Sequence, residues 1–341
     1  MTDVASWRRI LILGLQAAIA VAALAYVTTQ IELRRAGAQL LALDATVVGV
    51  VVALTAVEFL TRFSMWYALL RGLDGVSFAT SARVDLVVKF INHVLPSKAS
   101  GHSVAPLVVR HYTGVDWTDA VSVAGVNTGL YATLYGIVSA VGVGIFVTRL
   151  PDGVAAVVVL STAMYLGAGA VVLLAGRRLE VAGRLFGRLE HLARMLPRIG
   201  DRVASLVAAL PTFTADSAAT FRTLSSRPAV VVPYVLGWVG TLAVVPGMRV
   251  LVLLNALGDG FAPGALLPLV LVMAYSVTIL PLTPGGIGVS EASATLVLVA
   301  LGVAPEVAGV VVLLDRSFGV YLPALMGWVP AARIDLSSVL S

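Results

Sequence analysis

The sequence has 341 residues, lacks cysteine entirely and carries little charge, since Asp, Glu, Lys and Arg make up 12% of it. Without cysteine there is no disulfide framework, no thiolate nucleophile and no Cys-ligated metal or iron–sulfur cluster. Soluble domains carry about 25% charged residues, so half of the surface charge expected of them is missing. Hydrophobic residues reach 59% and the mean hydropathy is +0.98. These values predict an all-α, polytopic membrane protein, because only lipid solvates such a chain.

The formal net charge of +5 has two readings. In a soluble protein it would suggest a nucleic-acid partner, but no basic run interleaved with aromatic residues supports that. In a membrane protein it reflects cytoplasmic loops and anionic lipid headgroups. We therefore expect anionic lipids, and no nucleic acid, as partners.

Six apolar stretches are long enough to cross a bilayer, which takes roughly 20 helical residues. The first follows Arg8 and Arg9 and is longer than the apolar region of a signal peptide, so we interpret it as a retained anchor. The expected spans, within one transmembrane domain over 1–341, are 10–29, 45–70, 120–148, 153–175, 229–257 and 306–329.

The stretch 176–227 is much less apolar and contains nine Arg against four acidic residues. Its apolar residues recur at roughly helical spacing, which predicts an amphipathic elbow on the membrane surface. The positive-inside rule places this elbow in the cytoplasm. Its arginines either bind anionic lipid or only set the topology.

Counting spans from a cytoplasmic Arg8–Arg9 puts both ends of 81–117 on the same side of the membrane. This predicts a hairpin over 81–115 that enters and leaves on the cytoplasmic side. It breaks at Pro96, because proline lacks the donor that a helix needs. Irregular backbone at this depth lies within protein or lines a wet cavity.

A second break runs from Leu280 to Glu291 and contains Pro281, Pro284 and three glycines. Apolar stretches flank it, which predicts a second hairpin over 264–303 that enters from outside. The stretch 264–281 is either re-entrant or fully spanning. The last span then returns the C-terminus to the cytoplasm.

The two regions resemble each other, because Pro96 falls on Pro284 and Gly114 on Gly302 at one constant offset. Together with the topology this predicts inverted repeats over 45–148 and 228–330. Paired discontinuous helices of opposite orientation are typical of transporters, whose substrate site lies between the repeats.

Charged residues inside the spans are candidates for a functional network. Glu58 and Arg62 are four residues apart and can pair on one helix face. Asp315 and Arg316 are adjacent and point in different directions, so each needs a partner elsewhere, and Glu291 is a candidate for Arg316. The alternative is a set of purely structural ion pairs.

Candidate headgroup-binding residues lie at both breaks. The amides of Gly285 and Gly286 open a helix, with Ser290 as a candidate N-cap, and can bind a phosphate. Alternatively, these glycines only permit a tight turn and close packing. In the first repeat the candidates are Lys98, Ser100 and Arg110, although Lys98 can equally extend to the interface.

Nothing in the sequence predicts catalysis, a cofactor or a metal site. His93, His102 and His111 are nine residues apart, which is not one helical face, and no Cys assists them. No nucleophile–base pair, P-loop or dinucleotide fingerprint occurs. A membrane-embedded enzyme is therefore the least supported of the three functional classes considered.

The segment from Leu282 to Ala292, followed by Gly302–Val303, Leu314-Asp315-Arg316 and Pro323, resembles the transmembrane region of lysylphosphatidylglycerol synthases, also called the flippase-like domain family. In that family the first break usually carries Gly-Glu and a nearby Arg, and the next span an acidic–Arg pair. Here His102–Ser103 and Asn127–Thr128 stand at those positions, while Glu291 and Arg316 match. Full synthases carry a soluble aminoacyl-transfer domain and some relatives a glycosyltransferase domain, and this chain has neither.

The resemblance implies lipid translocation rather than aminoacylation. We expect a flippase-like transporter of the plasma membrane, with both termini cytoplasmic, that moves a phospholipid or polyprenyl-phosphate-linked lipid. In this expectation Glu58, Glu291 and Asp315 hold the cations in place or relay protons. The alternative is a non-transporting scaffold that docks a cytoplasmic glycosyltransferase or lipid-modifying enzyme through 176–227.

Overall fold

The computed structural model describes residues 43–71, 76–94, 98–178 and 215–332. Within these residues the secondary structure is helical throughout and no strand occurs. The α-helices are α1 (Ala45–Leu70), α2 (Phe78–Val94), α3 (Lys98–Thr113), α4 (Trp117–Phe146), α5 (Asp152–Arg177), α6 (215–226), α7 (Pro228–Val239), α8 (Val245–Ala256), α9 (Leu267–Tyr275), α10 (Val289–Ala300), α11 (Pro305–Arg316) and α12 (Leu322–Ala331).

Shorter turns extend or join several of these helices. Two π-helical turns join α7 to α8 and α11 to α12, so each pair forms one long, continuous element. The π-helical turns are Gly240–Val244 and Ser317–Tyr321, and the 3-10 turns are Val147–Arg149, Gly264–Leu266, Ser276–Ile279 and Pro284–Gly286.

Five elements of the described residues are long and apolar enough to cross a membrane, and they confirm five of the expected spans. They are Ala45–Leu70, Trp117–Arg149, Asp152–Arg177, Pro228–Ala256 and Pro305–Ala331. The expected first span, 10–29, lies outside the described residues, as does most of the Arg-rich elbow.

The outer surface of these spans is apolar, as a lipid-facing surface must be. Leu325 of α12 is 70% exposed, and Leu236 and Val171 project outward in the same way from α7 and α5. The side chains buried inside the protein include several charged residues of the same helices. The spans are therefore apolar on the outside and partly polar on the inside, the reverse of a soluble protein.

The two expected hairpins correspond to pairs of short helices. α2 and α3 have 17 and 16 residues and pack against each other, and the break between them at 95–97 lies outside the described residues. The second pair consists of Gly264–Ile279 and Val289–Ala300. Each is shorter than the roughly 20 residues that a span requires, although their re-entrant course stays a prediction.

The same order of elements, long, short, short and long, occurs twice along the chain. α1 to α4 form the first unit, and α7 to α12 with their π-helical turns form the second. Their packing is reciprocal, since α2 of the first unit contacts α12 of the second, and α9 of the second contacts α4 of the first. A glycine with positive φ, Gly114 or Gly302, follows the second short helix of each unit. This pattern supports the predicted repeat, and its inverted orientation stays a prediction.

Helix α6 attaches the end of the Arg-rich elbow to the transmembrane core. The ring of Phe221 is buried against Gly125 of α4 and Gly176 of α5, where no side chain obstructs it. Ser122 of α4 donates a hydrogen bond to the carbonyl of Ser217 at 2.9 Å.

Candidate functional site: a polar cavity above a buried ion network

A cavity of about 550 Å³ lies among α1, α2, α4 and α5 and is bordered by the turns that follow α7 and α9. Its polar lining comes mainly from α2 and α4. Apolar side chains complete the lining and include Met65, Val88, Val121, Val172 and Leu242. The polar lining residues are Arg62, Asp85, Lys89, Asn92, His93, Asn127, Thr128, Tyr131, Tyr165 and Thr241.

Four polar residues of α2 form a continuous strip along the cavity. Asp85, Lys89, Asn92 and His93 recur at helical spacing, so they share one face of the helix. His93 is oriented by a contact of 2.7 Å between its Nδ1 and the Lys89 carbonyl. Such a strip inside an apolar helix packs stably only when it faces a polar space or partner.

A second, smaller cavity adjoins the first, and both are lined by Arg62, Lys89, His93 and Tyr131. Its lining also includes the charged residues Glu58, Arg249, Asp315 and Arg316, beside the neutral polar residues Tyr135, Thr241, Tyr275 and Thr278. The large cavity therefore adjoins a network of ion pairs.

Arg249 is the centre of this network. It is 0% exposed, and its Nη1 donates to Oε2 of Glu58 at 2.6 Å. Its Nε and Nη2 both donate to Oδ1 of Asp315, at 2.9 and 2.5 Å. Glu58 binds Arg62 with its other oxygen at 2.9 Å, as its i,i+4 spacing predicts. The four groups form one chain of alternating charge across α1, α8 and α11.

A second ion pair lies beside this chain. Nε of Arg316 donates to Oε1 of Glu291 at 2.9 Å, which confirms the partner proposed from sequence. The guanidinium lies 5.0 Å from the ring centre of Tyr275, whose hydroxyl donates to Oδ2 of Asp315 at 2.9 Å. Tyr275 therefore connects the two parts of the network.

The π-helical turn after α11 supplies a contact to Arg62. Nη2 of Arg62 donates to the carbonyl of Gly319 at 2.7 Å. In an α-helix this carbonyl would accept from residue 323, but that residue is Pro323 and has no N–H. Gly319 also lacks a side chain that would collide with Glu58 and Arg249. Proline and glycine together open this helix to the arginine.

The N-terminus of α10 is capped from within the protein. Gly288 is its N-cap, and the N–H of Gly288 donates to Oε2 of Glu291 at 2.7 Å. The expectation that Ser290 is the N-cap is wrong. Ser290 is the second residue of the helix, and its hydroxyl donates to the Gly286 carbonyl at 2.8 Å. Glu291 thus holds the position that a bound anion takes at other helix N-termini.

The glycines of the second break are buried. Gly285 and Gly286 have φ of +61° and +75°, which side-chain-bearing residues adopt at a cost. The N–H of Gly286 donates to the Thr283 carbonyl at 3.0 Å, so this amide already has a partner. A side chain at Gly285 would collide with His93 of α2, so the second break contacts the end of the first short helix.

The other residues singled out from sequence are distributed differently. Arg316 lines the smaller cavity, whereas Arg110 stacks over Trp117 at 5.1 Å and lines neither cavity. Lys98 and Ser100 begin α3, and their side chains lie outside the described part. Asn127 and Thr128, the counterparts of Asp315 and Arg316, line the large cavity.

Several residues of the site were not predicted from the sequence. Arg249 was missed although a lone Arg inside the apolar stretch 229–257 is a usable signal. Asp85 and Lys89 lie within the predicted hairpin 81–115, and the sequence analysis assigned them no role. Tyr275 and Tyr321 carried no signal, yet Tyr321 donates to Oε1 of Glu291 at 2.6 Å. Among the described residues no group of three His, Asp or Glu side chains could hold a metal ion.

The helices, the apolar exterior and the cavity with its polar strip define a polytopic α-helical membrane protein with polar groups inside the helical bundle. The family model described as the lysylphosphatidylglycerol synthase TM region matches residues 12–327, so the chain belongs to this family. No curated protein and no solved structure matches the chain.

Proposed function

We propose that this protein binds phosphate-bearing lipid headgroups in the large cavity and moves such lipids between the two leaflets. The observation that carries the proposal is the cavity itself, whose lining combines the polar strip of α2 and the cations Arg62 and Lys89 with apolar side chains. The lipid headgroup binds the polar groups and cations, and the adjoining hydrocarbon contacts the apolar side chains. The lipid is a phospholipid or a polyprenyl-phosphate-linked lipid.

In this proposal Arg62 and Lys89 meet the phosphate, because both line the large cavity. Nη2 of Arg62 makes both of its contacts, to Glu58 and to the Gly319 carbonyl. Five donors in a planar fork leave Arg62 further N–H groups for phosphate oxygens. Arg249 and Asp315 support Arg62 through Glu58 and do not meet the lipid themselves.

In this proposal the ion pair between Glu291 and Arg316 stabilises the second break. Glu291 binds Arg316, Tyr321 and the N-terminus of α10, so it joins three parts of the second unit. Neutralising it leaves Arg316 buried without its carboxylate partner. We propose that the two units move relative to each other around this fixed network, as the paired breaks of transporters do. We further propose that the protein lies in the plasma membrane with both termini in the cytoplasm.

Reconstitution into vesicles tests this function. The assay follows fluorescent phospholipids and polyprenyl-phosphate lipids from the inner to the outer leaflet. Arg62→Gln and Lys89→Gln should slow this movement, whereas Arg177→Gln, on an exposed residue of α5, should not. The proposal fails if the wild-type protein moves no lipid of a broad panel.

The scaffold alternative draws on the attachment of α6 to α4 and α5, which holds the end of the elbow close to the core. A docking role depends on the exposed arginines of this region, such as Arg222 and Arg227. If neutralising these two abolishes the cellular function while Arg62→Gln leaves it intact, docking and not transport is the function.

A further inference from the structure

Asp85 is a buried carboxylate of the cavity that the function above leaves unused. It is 9% exposed, and its Oδ2 has no hydrogen-bond partner among the described residues. Arg62, Lys89, Trp66 and Glu58 are the polar groups that interact with it electrostatically. A carboxylate oxygen is only an acceptor, so Oδ2 forms a hydrogen bond only to an incoming donor or takes up a proton.

The charges around the two cavities balance each other. Among the described side chains, four cations and four carboxylates line the cavities or pair with residues that do. The cations are Arg62, Lys89, Arg249 and Arg316, and the carboxylates are Glu58, Asp85, Glu291 and Asp315.

An anionic phosphate that enters this balanced set adds one uncompensated negative charge. In a buried site such a charge is costly, and a proton that binds a carboxylate removes the imbalance. The three arginines and Lys89 already carry their protons. Protonation of Glu58, Glu291 or Asp315 would remove the charge that pairs with a buried arginine, which is costly. Asp85 is the remaining carboxylate.

We infer that an anionic lipid headgroup enters the cavity together with one proton, which binds Oδ2 of Asp85 and leaves again with the lipid. The inference rests on the proposed function and identifies the proton as the ion that is coupled to lipid binding. The proton comes from water and converts the carboxylate to a neutral carboxyl group, which then has an O–H that can donate to a phosphate oxygen. Proton and headgroup therefore stabilise each other in the cavity.

His93 is the competing proton acceptor, since it lies on the same strip and its Nδ1 is engaged by the Lys89 carbonyl. Burial disfavours the charged form of any group, which promotes proton uptake by a carboxylate and opposes it at an imidazole. This favours Asp85. The titratable and charged side chains that act on Asp85, or that lie on α2 or on elements packed against it, are Glu58, Arg62, Tyr67, Arg83, Lys89, His93, Arg110, His111, Tyr112, Tyr131 and Tyr234. Helix α3 also carries Lys98 and His102, whose side chains lie outside the described part.

The experiment measures protons taken up when purified full-length protein in weakly buffered detergent binds a short-chain phosphatidylglycerol. We expect about one proton per bound lipid, and an affinity that rises about tenfold for each pH unit of acidification. A short-chain phosphatidylcholine, whose headgroup has no net charge, should bind without proton uptake. Wild-type protein that binds phosphatidylglycerol with no proton uptake overturns the inference.

Substitutions identify the residue that takes up the proton. Asp85→Asn should bind phosphatidylglycerol with no proton uptake and with an affinity independent of pH, because it already lacks one negative charge. Asp152→Asn, on an exposed residue of α5, should behave as wild type. Uptake that persists in Asp85→Asn and disappears in His93→Gln overturns the assignment. If proton uptake persists but vesicles show no lipid movement, the proposed transport function fails and this inference stands. If vesicles show lipid movement but lipid binding takes up no proton, this inference fails and the proposed transport function stands.

Discussion

Nη2 of Arg62 donates a hydrogen bond to the Gly319 carbonyl at 2.7 Å, although 257 residues separate them in the sequence. The carbonyl is available because Pro323, four residues later, has no N–H to offer it. The same arginine binds Glu58 and lines the large cavity. One proline therefore helps to position the cation that we propose meets the headgroup.

This relationship predicts coupling between Arg62 and Pro323. Pro323→Ala restores an N–H that competes with Arg62 for the Gly319 carbonyl, so Arg62→Gln should cost less in that background. We expect the two changes to be non-additive by about 1 kcal/mol or more in the free energy of unfolding. A double-mutant cycle from detergent unfolding curves measures this coupling.

Pro330→Ala is the matched control, since Pro330 lies in the same helix and the carbonyl four residues before it belongs to the exposed Met326. Its effect should add to that of Arg62→Gln. Equal coupling for both prolines would contradict the role assigned to Pro323.

Replacing Arg249 should unfold the protein more readily than replacing any exposed arginine. Arg249→Met leaves Glu58 and Asp315 buried without their shared cation, which typically costs about 3–5 kcal/mol. Thermal unfolding in detergent, followed by loss of the monodisperse species, measures the change. Arg177→Met, the same substitution at an exposed position, should be nearly neutral. Equal stability of the two variants would show that the network contributes nothing to the fold.

Gly285→Ala should reduce lipid movement, in addition to the stability that it loses through backbone strain. The left-handed conformation costs a side-chain-bearing residue about 1–2 kcal/mol. The new Cβ would also lie 2.7 Å from the ring of His93, which must move. Gly114→Ala carries similar strain at φ +71° with nothing within 4 Å. We expect both variants to lose stability and Gly285→Ala alone to lose lipid movement, measured in the same vesicles.

Single cysteines should report whether the cavity contains water, because the chain has no cysteine of its own. Thr128→Cys lines the cavity and should react with a hydrophilic thiol reagent. Thr162→Cys, at a buried position outside the cavity that bonds Ser139, should react much more slowly. Phosphatidylglycerol should protect Cys at position 128. Equal labelling at both positions would argue against a wet cavity.

The same approach tests the inverted repeat. Cysteines at Ser97 and Leu282, one in each break, should react with impermeant reagents added to opposite sides of the membrane. Ser97 lies outside the described residues, so its accessibility rests on the topology count alone. Labelling of both positions from one side refutes the opposite orientation of the two units.

The spans of the described residues could be predicted from local sequence, because crossing a bilayer requires about 20 apolar helical residues and so leaves a local signal. The expected span 45–70 coincides with α1, and proline and glycine marked the second break between α9 and α10. The Glu58–Arg62 pair was also predictable, since its partners are one helical turn apart.

The partners of the buried charges depend on how the helices pack. Arg249 binds Glu58 and Asp315, which are 191 and 66 residues away, and no local spacing encodes such contacts. The same holds for Asp85 and Lys89, which became cavity residues only because α1, α4 and α5 line the same cavity as α2. Apolar length is a property of one segment, whereas a buried charge is stable only beside a particular partner, and packing alone supplies that partner.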